Sequence, residues 1–184
     1  MTTLFYIHGY GSSSTGDSAI MFRDMAPDYG FDFYGFDYSV DDLSDPLKIH
    51  NNIVDKINQL GDVIVVGSSL GGYFANLAAL ATDSPMVLIN PSIHPEIALK
   101  KYSIPRDILC KFYDMPQYHN HVPRVIFCGI HDTTVLPETN GHTLRGDRIN
   151  IDMGHRVSAY MMPTIMERLS KLNNNVIDTD TDFK

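Results

Sequence analysis

The sequence predicts an α/β fold, in which a mostly parallel sheet of about six strands carries helices on both faces. Short apolar runs alternate along the chain with longer segments of helical periodicity. This alternation favours parallel pairing, because two parallel strands need a crossover connection between them. The clearest single unit lies at residues 62–82, where a strand leads through a glycine-framed serine into a helix.

The individual elements follow from local patterns. Apolar runs predict strands at residues 3–8, 31–38, 62–66, 86–89, 125–128 and 148–152. Apolar residues at helical spacing predict helices at residues 17–26, 44–60, 70–82 and 158–172. Ser44 is suited to cap the second helix, and Pro46 fits its first turn. Residues 1–172 are therefore expected to form a single domain.

Two segments stand outside the alternation. Residues 91–123 contain five prolines and little periodicity, which predicts a small lid-like insertion with one or two short helices. Residues 173–184 are polar and predict a flexible tail. The tail contains an Asp-x-Asp-x-Asp pattern, but it lacks the glycine and the final glutamate of a calcium-binding loop, so no calcium site is predicted.

Composition argues against several classes of protein. The net charge of −8 makes a nucleic-acid partner improbable, and no apolar run reaches the roughly 18 residues that span a bilayer. No basic segment precedes the first strand, so no signal peptide is expected. Cys110 and Cys128 suit free thiols. Together these observations predict a cytoplasmic protein.

The sequence Gly67-Ser68-Ser69-Leu70-Gly71 matches G-x-S-x-G, the nucleophile elbow. The elbow places a serine on a sharp turn between a strand and a helix, which is the context predicted here. Ser69 occupies the central position and is the candidate nucleophile. Ser68 occupies a variable position, and its side chain is expected to point away.

A serine hydroxyl needs a base that removes its proton and an acid that orients the base. In hydrolases with this elbow the chain order is serine, acid, histidine. Asp132 follows the strand at 125–128, and His155 follows the last strand, so both are expected at the carboxyl edge of the sheet together with Ser69. Asp152 and Asp147 remain alternatives for the acid.

His131 and His142 remain alternatives for the base. His119 and His121 have a spacing that suits two metal ligands on a strand, but no third ligand is evident, so no metal is predicted.

A strand that ends in His8-Gly9 and runs into small residues is suited to stabilise an oxyanion. The backbone N–H groups of Leu70 and Tyr10 are the predicted donors, with Gly11 as the alternative to Tyr10. A phosphate-binding turn at Gly9 is disfavoured, because that motif needs a third glycine.

Together these segments resemble the α/β-hydrolase superfamily, and within it the small bacterial YqiA-like esterases. The resemblance rests on Tyr6-Ile7-His8-Gly9-Tyr10, on residues 66–75 around Ser69 and on Asn90-Pro91. It implies esterase or thioesterase activity on acyl substrates.

We therefore expect a serine hydrolase that cleaves carboxylic esters or thioesters through an acyl-enzyme on Ser69, without a cofactor. Tyr10 and the lid residues Phe112 and Tyr113 are expected to contact the acyl group of a small-molecule substrate. A peptidase or an acyltransferase would use the same residues, and a non-catalytic binding protein with this fold is a further alternative. The sequence leaves the oligomeric state open.

Overall fold

The computed structural model describes residues 1–119, 121–135 and 144–174. These residues form one sheet with the strand order β2-β1-β3-β4-β5-β6, and every neighbouring pair is parallel. The predicted α/β fold is thereby confirmed. The strands are β1 (Thr3–Ile7), β2 (Asp32–Phe36), β3 (Val63–Ser68), β4 (Met86–Ile89), β5 (Arg124–Gly129) and β6 (Asp147–Ile151).

Helices cover both faces of the sheet, as predicted. They are α1 (Asp17–Met25), α2 (Pro46–Leu60), α3 (Leu70–Ala81), α4 (Pro95–Ala98), α5 (Arg106–Lys111) and α6 (Met162–Asn173). Alternate side chains of β1 divide between the two faces. Phe5 and Ile7 join the core beneath α2 and α3, whereas Leu4 and Tyr6 join the core beneath α1 and α6. Because both faces are covered, every residue of β1, β3 and β4 is buried, which explains their continuous apolar sequences.

Two helix starts differ from the prediction. Asp45, not Ser44, caps α2, and its carboxylate accepts a hydrogen bond from the Lys48 N–H at 3.1 Å. The last helix begins at Met162 rather than at residue 158. Pro163 lies in its first turn, where a proline ring has no preceding helical carbonyl to collide with. A helix that began at residue 158 would have placed Pro163 in its interior.

The predicted insertion at residues 91–123 contains α4 and α5 and packs on the α2 and α3 side of the sheet. The Phe112 ring meets those of Tyr73 and Phe74, with centroids 5.7 and 6.4 Å away. Further along, the Tyr118 hydroxyl lies 2.7 Å from Nε2 of the buried His50 on α2. The insertion is thus anchored to the body of the domain at several points.

Two glycines let α3 approach the sheet closely. A Cβ at Gly71 would overlap the carbonyl oxygens of Ile7 and His8 at the end of β1. A Cβ at Gly67 would lie 2.5 Å from the Ala75 side chain and would also overlap the Gly71 carbonyl oxygen. The start of α3 therefore lies directly against the carboxyl ends of β1 and β3.

A Gly71→Ala variant tests this packing. Alanine favours a helix over glycine by about 1 kcal/mol, but overlap with backbone typically costs about 1–3 kcal/mol or more, so the variant should be less stable. Urea unfolding followed by circular dichroism measures the difference. Gly154→Ala serves as the control, because its added methyl group would have its nearest neighbour at 3.9 Å. Equal stability of the Gly71→Ala variant and the unmodified protein would contradict the packing argument.

Candidate active site

Ser69 lies on a sharp turn between β3 and α3. Its backbone has φ 55° and ψ −121°, a conformation that is unfavourable for a residue with a side chain. Hydrogen bonds on both sides hold it. The Ser69 N–H donates to the Ile89 carbonyl at 3.0 Å, and the N–H groups of Gly72 and Ser92 both donate to the Ser69 carbonyl at 2.9 Å. The turn directs the serine side chain toward the carboxyl edge of the sheet.

The side chains of Ser69, His155 and Asp132 form a continuous hydrogen-bonded chain. His155 Nδ1 lies 2.9 Å from the Asp132 carboxylate, and His155 Nε2 lies 3.1 Å from Ser69 Oγ. An ionised carboxylate only accepts hydrogen bonds, so Nδ1 carries the proton and donates it. In the neutral imidazole Nε2 is then an acceptor for the serine hydroxyl.

Asp132 is held in place by more than the histidine. Its side chain is only 1% exposed, and one carboxylate oxygen accepts hydrogen bonds from the N–H groups of Thr134 and Val135 at 2.7 and 3.0 Å. Burial alone would raise the pKa of this carboxyl, but the hydrogen bonds from His155, Val135 and Thr134 outweigh it and hold the pKa below the ordinary value. Asp132 is therefore ionised at neutral pH and fixed in orientation.

Three of the alternative acids and bases, Asp152, Asp147 and His131, form other pairs. Asp152 pairs with His131, with 3.0 Å between Oδ1 and Nε2, and both side chains are exposed. Asp147 pairs with Arg168. Among the candidates for acid and base, the structure thus joins Asp132 and His155 to Ser69. His142 lies outside the described residues.

Asn90, which sequence analysis gave no role, connects three strand ends at this edge. Its side-chain amide donates to the carbonyl oxygens of Gly154 and His155, both at 3.0 Å, and accepts from the Gly129 N–H at 2.7 Å. Asn90 is buried and has φ 44°. The side chain therefore fixes the loop that carries His155 relative to β4 and β5. A polar residue directly after a buried strand was the sequence signal that could have identified it.

The loop after β1 passes beside Ser69. A Cβ at Gly9 would lie 3.1 Å from the Ser69 Cβ, so the backbone of this loop is in near contact with the serine. Leu70 is the first residue of α3, and the first N–H groups of a helix have no partner within it. Leu70 thus follows Ser69 directly in the chain, and Tyr10 follows Gly9 in the loop that passes beside the serine.

His8 fixes the start of this loop. Its ring is buried and stacks on that of Tyr38, with 4.4 Å between centroids, and its Nε2 accepts from the Tyr38 N–H at 3.3 Å. Nδ1 must then carry the proton, which it donates to the Gly9 carbonyl at 2.8 Å. Burial lowers the pKa of His8, which agrees with a neutral ring in these contacts.

A cavity of about 630 Å³ opens beside Ser69 and His155. Tyr10 lines it together with Tyr102 of the insertion, and their rings stack with centroids 4.4 Å apart. Neither Phe112 nor Tyr113 is among its lining residues, because Phe112 packs in the core and Tyr113 is exposed. The prediction that these two residues contact an acyl group gains no support from this cavity.

The floor of the cavity is rich in hydroxyl groups. Three hydroxyl-bearing residues, Tyr6, Ser18 and Ser68, line the cavity together. Burial raises the pKa of Tyr6 to about 12, so this hydroxyl stays protonated at neutral pH. His155 bonds to Ser69 and Asp132, and Ser68 is not part of that hydrogen-bonded chain.

Metal ligands, membrane-crossing helices and thiols can be described over residues 1–119, 121–135 and 144–174. Within these ranges no group of three potential metal ligands comes together, and no helix combines the length and hydropathy needed to cross a membrane. Cys110 is exposed and Cys128 buried, and both are free thiols. The acidic pattern of the tail lies outside the described residues.

The fold and the site place this chain among proteins with the alpha/beta-hydrolase fold. It superposes on alpha/beta hydrolase domain-containing protein 10 from mouse with a TM-score of 0.74 at 18% identity, over 95% of this chain and 90% of that one. It superposes on the Pyrococcus furiosus esterase PF2001 with a TM-score of 0.68 at 15% identity, over 95% and 81% of the two chains. At these identities the likeness establishes the fold.

The chain belongs to the Uncharacterised protein family (UPF0227), whose model matches residues 3–121. A UPF0227 protein of Vibrio vulnificus (strain CMCP6) is 27% identical over 95 residues, 50% of this chain and 52% of that protein. One from Enterobacter sp. (strain 638) is 30% identical over 98 residues, with the same coverage. The chain thus spans about half the length of the curated relatives it matches. The family match includes Ser69 and ends before Asp132.

The lowered pKa of Asp132 predicts a pH-dependent contribution to stability. Because the folded-state pKa lies below the ordinary 3.8, this contribution is complete above that value and is lost as the pH falls through the folded-state pKa. An Asp132→Asn variant should therefore be less stable at neutral pH by about 1–3 kcal/mol, and the difference should shrink in acid.

Urea unfolding between about pH 7 and about pH 3 measures this difference. Asp152→Asn is the matched control, since an exposed pair contributes at most about 1 kcal/mol. A difference that stays constant into acid would contradict the assignment of the hydrogen-bonded carboxylate to Asp132.

Proposed function

We propose that this protein is a serine hydrolase that cleaves carboxylic esters or thioesters, with Ser69, His155 and Asp132 as its catalytic residues. The single observation that carries the proposal is the hydrogen-bonded chain from Ser69 Oγ through His155 to Asp132, with links of 3.1 and 2.9 Å. This is the arrangement that converts a weakly nucleophilic hydroxyl into a nucleophile at neutral pH.

The reaction has two halves. Ser69 Oγ attacks the acyl carbonyl carbon while His155 Nε2 takes its proton, and the resulting imidazolium is stabilised by Asp132. His155 then gives that proton to the leaving alcohol or thiol as the acyl–oxygen or acyl–sulfur bond breaks, which leaves an ester on Ser69. Water attacks this ester with the same proton transfers, releases the acid and restores the serine.

The negative charge that forms on the carbonyl oxygen needs donors at a fixed position. We assign this role to the backbone N–H groups of Leu70 and Tyr10, because α3 begins at Leu70 and the loop of Tyr10 passes against Ser69. Removal of one such donor typically costs about 3 kcal/mol of transition-state stabilisation. The neutral ring of His8, which forms one hydrogen bond with the Gly9 carbonyl and one with the Tyr38 N–H, would keep this loop in place.

The comparisons support the proposal at the level of fold. The Pyrococcus furiosus protein with this fold is an esterase by name, although at 15% identity its activity does not transfer by itself. A non-catalytic binding protein is the alternative of a different class. The oriented proton relay favours catalysis over it, because binding needs no base. A peptidase or acyltransferase would share the first half of the reaction.

Replacement of the nucleophile gives the most direct test. Ser69→Ala should lower the turnover of para-nitrophenyl esters by about 10⁴-fold or more and abolish labelling by a fluorophosphonate probe. Ser68→Ala, which alters a neighbouring hydroxyl at the cavity floor, should keep most of the activity and the labelling. Ester hydrolysis and probe labelling by the Ser69→Ala variant would refute the proposal.

The two candidate acids, Asp132 and Asp152, give a second test. Asp132→Asn should reduce kcat by roughly 10⁴-fold, because an amide in this position favours the wrong imidazole tautomer. Asp152→Asn removes an equal charge from the exposed partner of His131 and should change kcat little. Steady-state kinetics on both variants decides the matter, and a larger loss in Asp152→Asn would show that the acid is wrongly assigned.

A further inference from the structure

The cavity beside Ser69 has an uneven distribution of charge. Arg156 follows His155 directly, is exposed and lines the cavity. The Lys101 ammonium donates to the Thr134 carbonyl at 3.2 Å and lies 5.2 Å from the centre of the Tyr102 ring, and both Thr134 and Tyr102 line the cavity. Arg156 therefore borders this cavity and Lys101 contacts two of its lining residues, in a chain with a net charge of −8.

No carboxylate among residues 1–119, 121–135 and 144–174 pairs with either of these two cations. Among the described residues, no ion pair involves Lys101 or Arg156. The one buried carboxylate nearby, Asp132, is occupied by His155 and by the N–H groups of Thr134 and Val135. Asp17 also lines the cavity, at the start of α1 next to Ser18. An anion in the cavity is thus attracted toward Lys101 and Arg156 and repelled from Asp17.

The position of His155 indicates which half of the substrate lies near Lys101 and Arg156. A general acid must lie within hydrogen-bond reach of the atom that it protonates, so the leaving oxygen or sulfur lies next to His155 Nε2. Arg156 adjoins His155 in the chain, and Thr134 adjoins Asp132 through a 2.7 Å hydrogen bond. The group that leaves is therefore the half of the substrate nearest the two cations.

The hydroxyl groups of the cavity floor agree with a polar ligand. An aliphatic chain laid over the side chains of Tyr6, Ser18 and Ser68 would displace water without replacing its hydrogen bonds. The stacked rings of Tyr10 and Tyr102 supply the one extended apolar surface among the lining residues described here. A leaving group with a flat or compact body and a charged end suits this lining.

We propose that the cavity selects an ester or thioester whose alcohol or thiol half carries a negative charge, which Lys101 and Arg156 bind. The proposal rests on the hydrolytic function proposed above and specifies its substrate class. Both cations are binding residues in this account, and neither takes part in proton transfer.

A matched pair of esters tests the placement of the charge. To correct for intrinsic reactivity, the kcat/KM of each ester is divided by the rate constant for its hydrolysis by hydroxide. The corrected value should be about fivefold higher for para-acetoxybenzenesulfonate than for para-acetoxybenzenesulfonamide. The difference should lie in KM and should diminish with added salt, as expected for exposed charge pairs. In a Lys101→Gln, Arg156→Gln double variant the ratio should fall to about one, whereas Lys56→Gln, which removes the same type of charge outside the cavity, should preserve it.

A second pair separates the two halves of the substrate. Mono(para-nitrophenyl) adipate carries its charge on the acyl half, and para-nitrophenyl hexanoate is its neutral counterpart. We expect no preference for the adipate. A preference for the adipate that the double variant loses would overturn the placement of the charge on the leaving group.

The results also separate this proposal from the one on which it rests. Equal hydrolysis of the sulfonate and the sulfonamide, with Ser69 still labelled by the fluorophosphonate probe, overturns the anion preference and leaves the hydrolase intact. No hydrolysis of any of the four esters and no labelling of Ser69 overturns both.

Discussion

The close approach of α3 to the carboxyl ends of β1 and β3 is the constraint on which the rest of the site depends. Only a residue without a side chain fits at Gly71, because a Cβ there would overlap the backbone of Ile7 and His8. This contact brings the helix start and the loop after β1 together beside Ser69. The unfavourable backbone of Ser69 is then maintained by its hydrogen bonds to Ile89, Gly72 and Ser92. Packing and these hydrogen bonds, not local preference, hold the half-buried serine in its position.

The other half of the site comes from the end of the sheet formed by β5 and β6. Asp132 and His155 follow β5 and β6, and the register of β3, β4 and β5 determines how near they come. Asn90 then holds His155 in a defined position relative to these strands, because its side-chain amide bonds both to Gly129 at the end of β5 and to the Gly154 and His155 carbonyls. The hydrogen-bonded chain from Ser69 through His155 to Asp132 thus depends on the side chain of Asn90, which is not itself a member of that chain.

Sequence was sufficient for the fold and for Ser69, because a glycine-framed serine between an apolar strand and a helix has few structural solutions. It also favoured Asp132 over Asp152, since Asp132 follows the strand before the one that leads to His155, where hydrolases with this elbow carry their acid. It did not predict the cavity lining. Tyr102 stacks on Tyr10 because of the way the insertion packs along α2 and α3. The same packing buries Phe112 against Tyr73. Such contacts depend on the path of a long connection, which has no periodic signal.

The strand that leads to His155 lies at the margin of the sheet. β6 pairs with β5 on one side only, and most of its residues are partly exposed, whereas β3 is buried throughout. Marginal strands open at lower free energy than central ones. Brief separation of β6 would withdraw the histidine while leaving the serine and most of the core in place. Heating should therefore separate His155 from Ser69 before the domain unfolds, and cooling should restore the contact, so that the site stays assembled over a narrower temperature range than the fold.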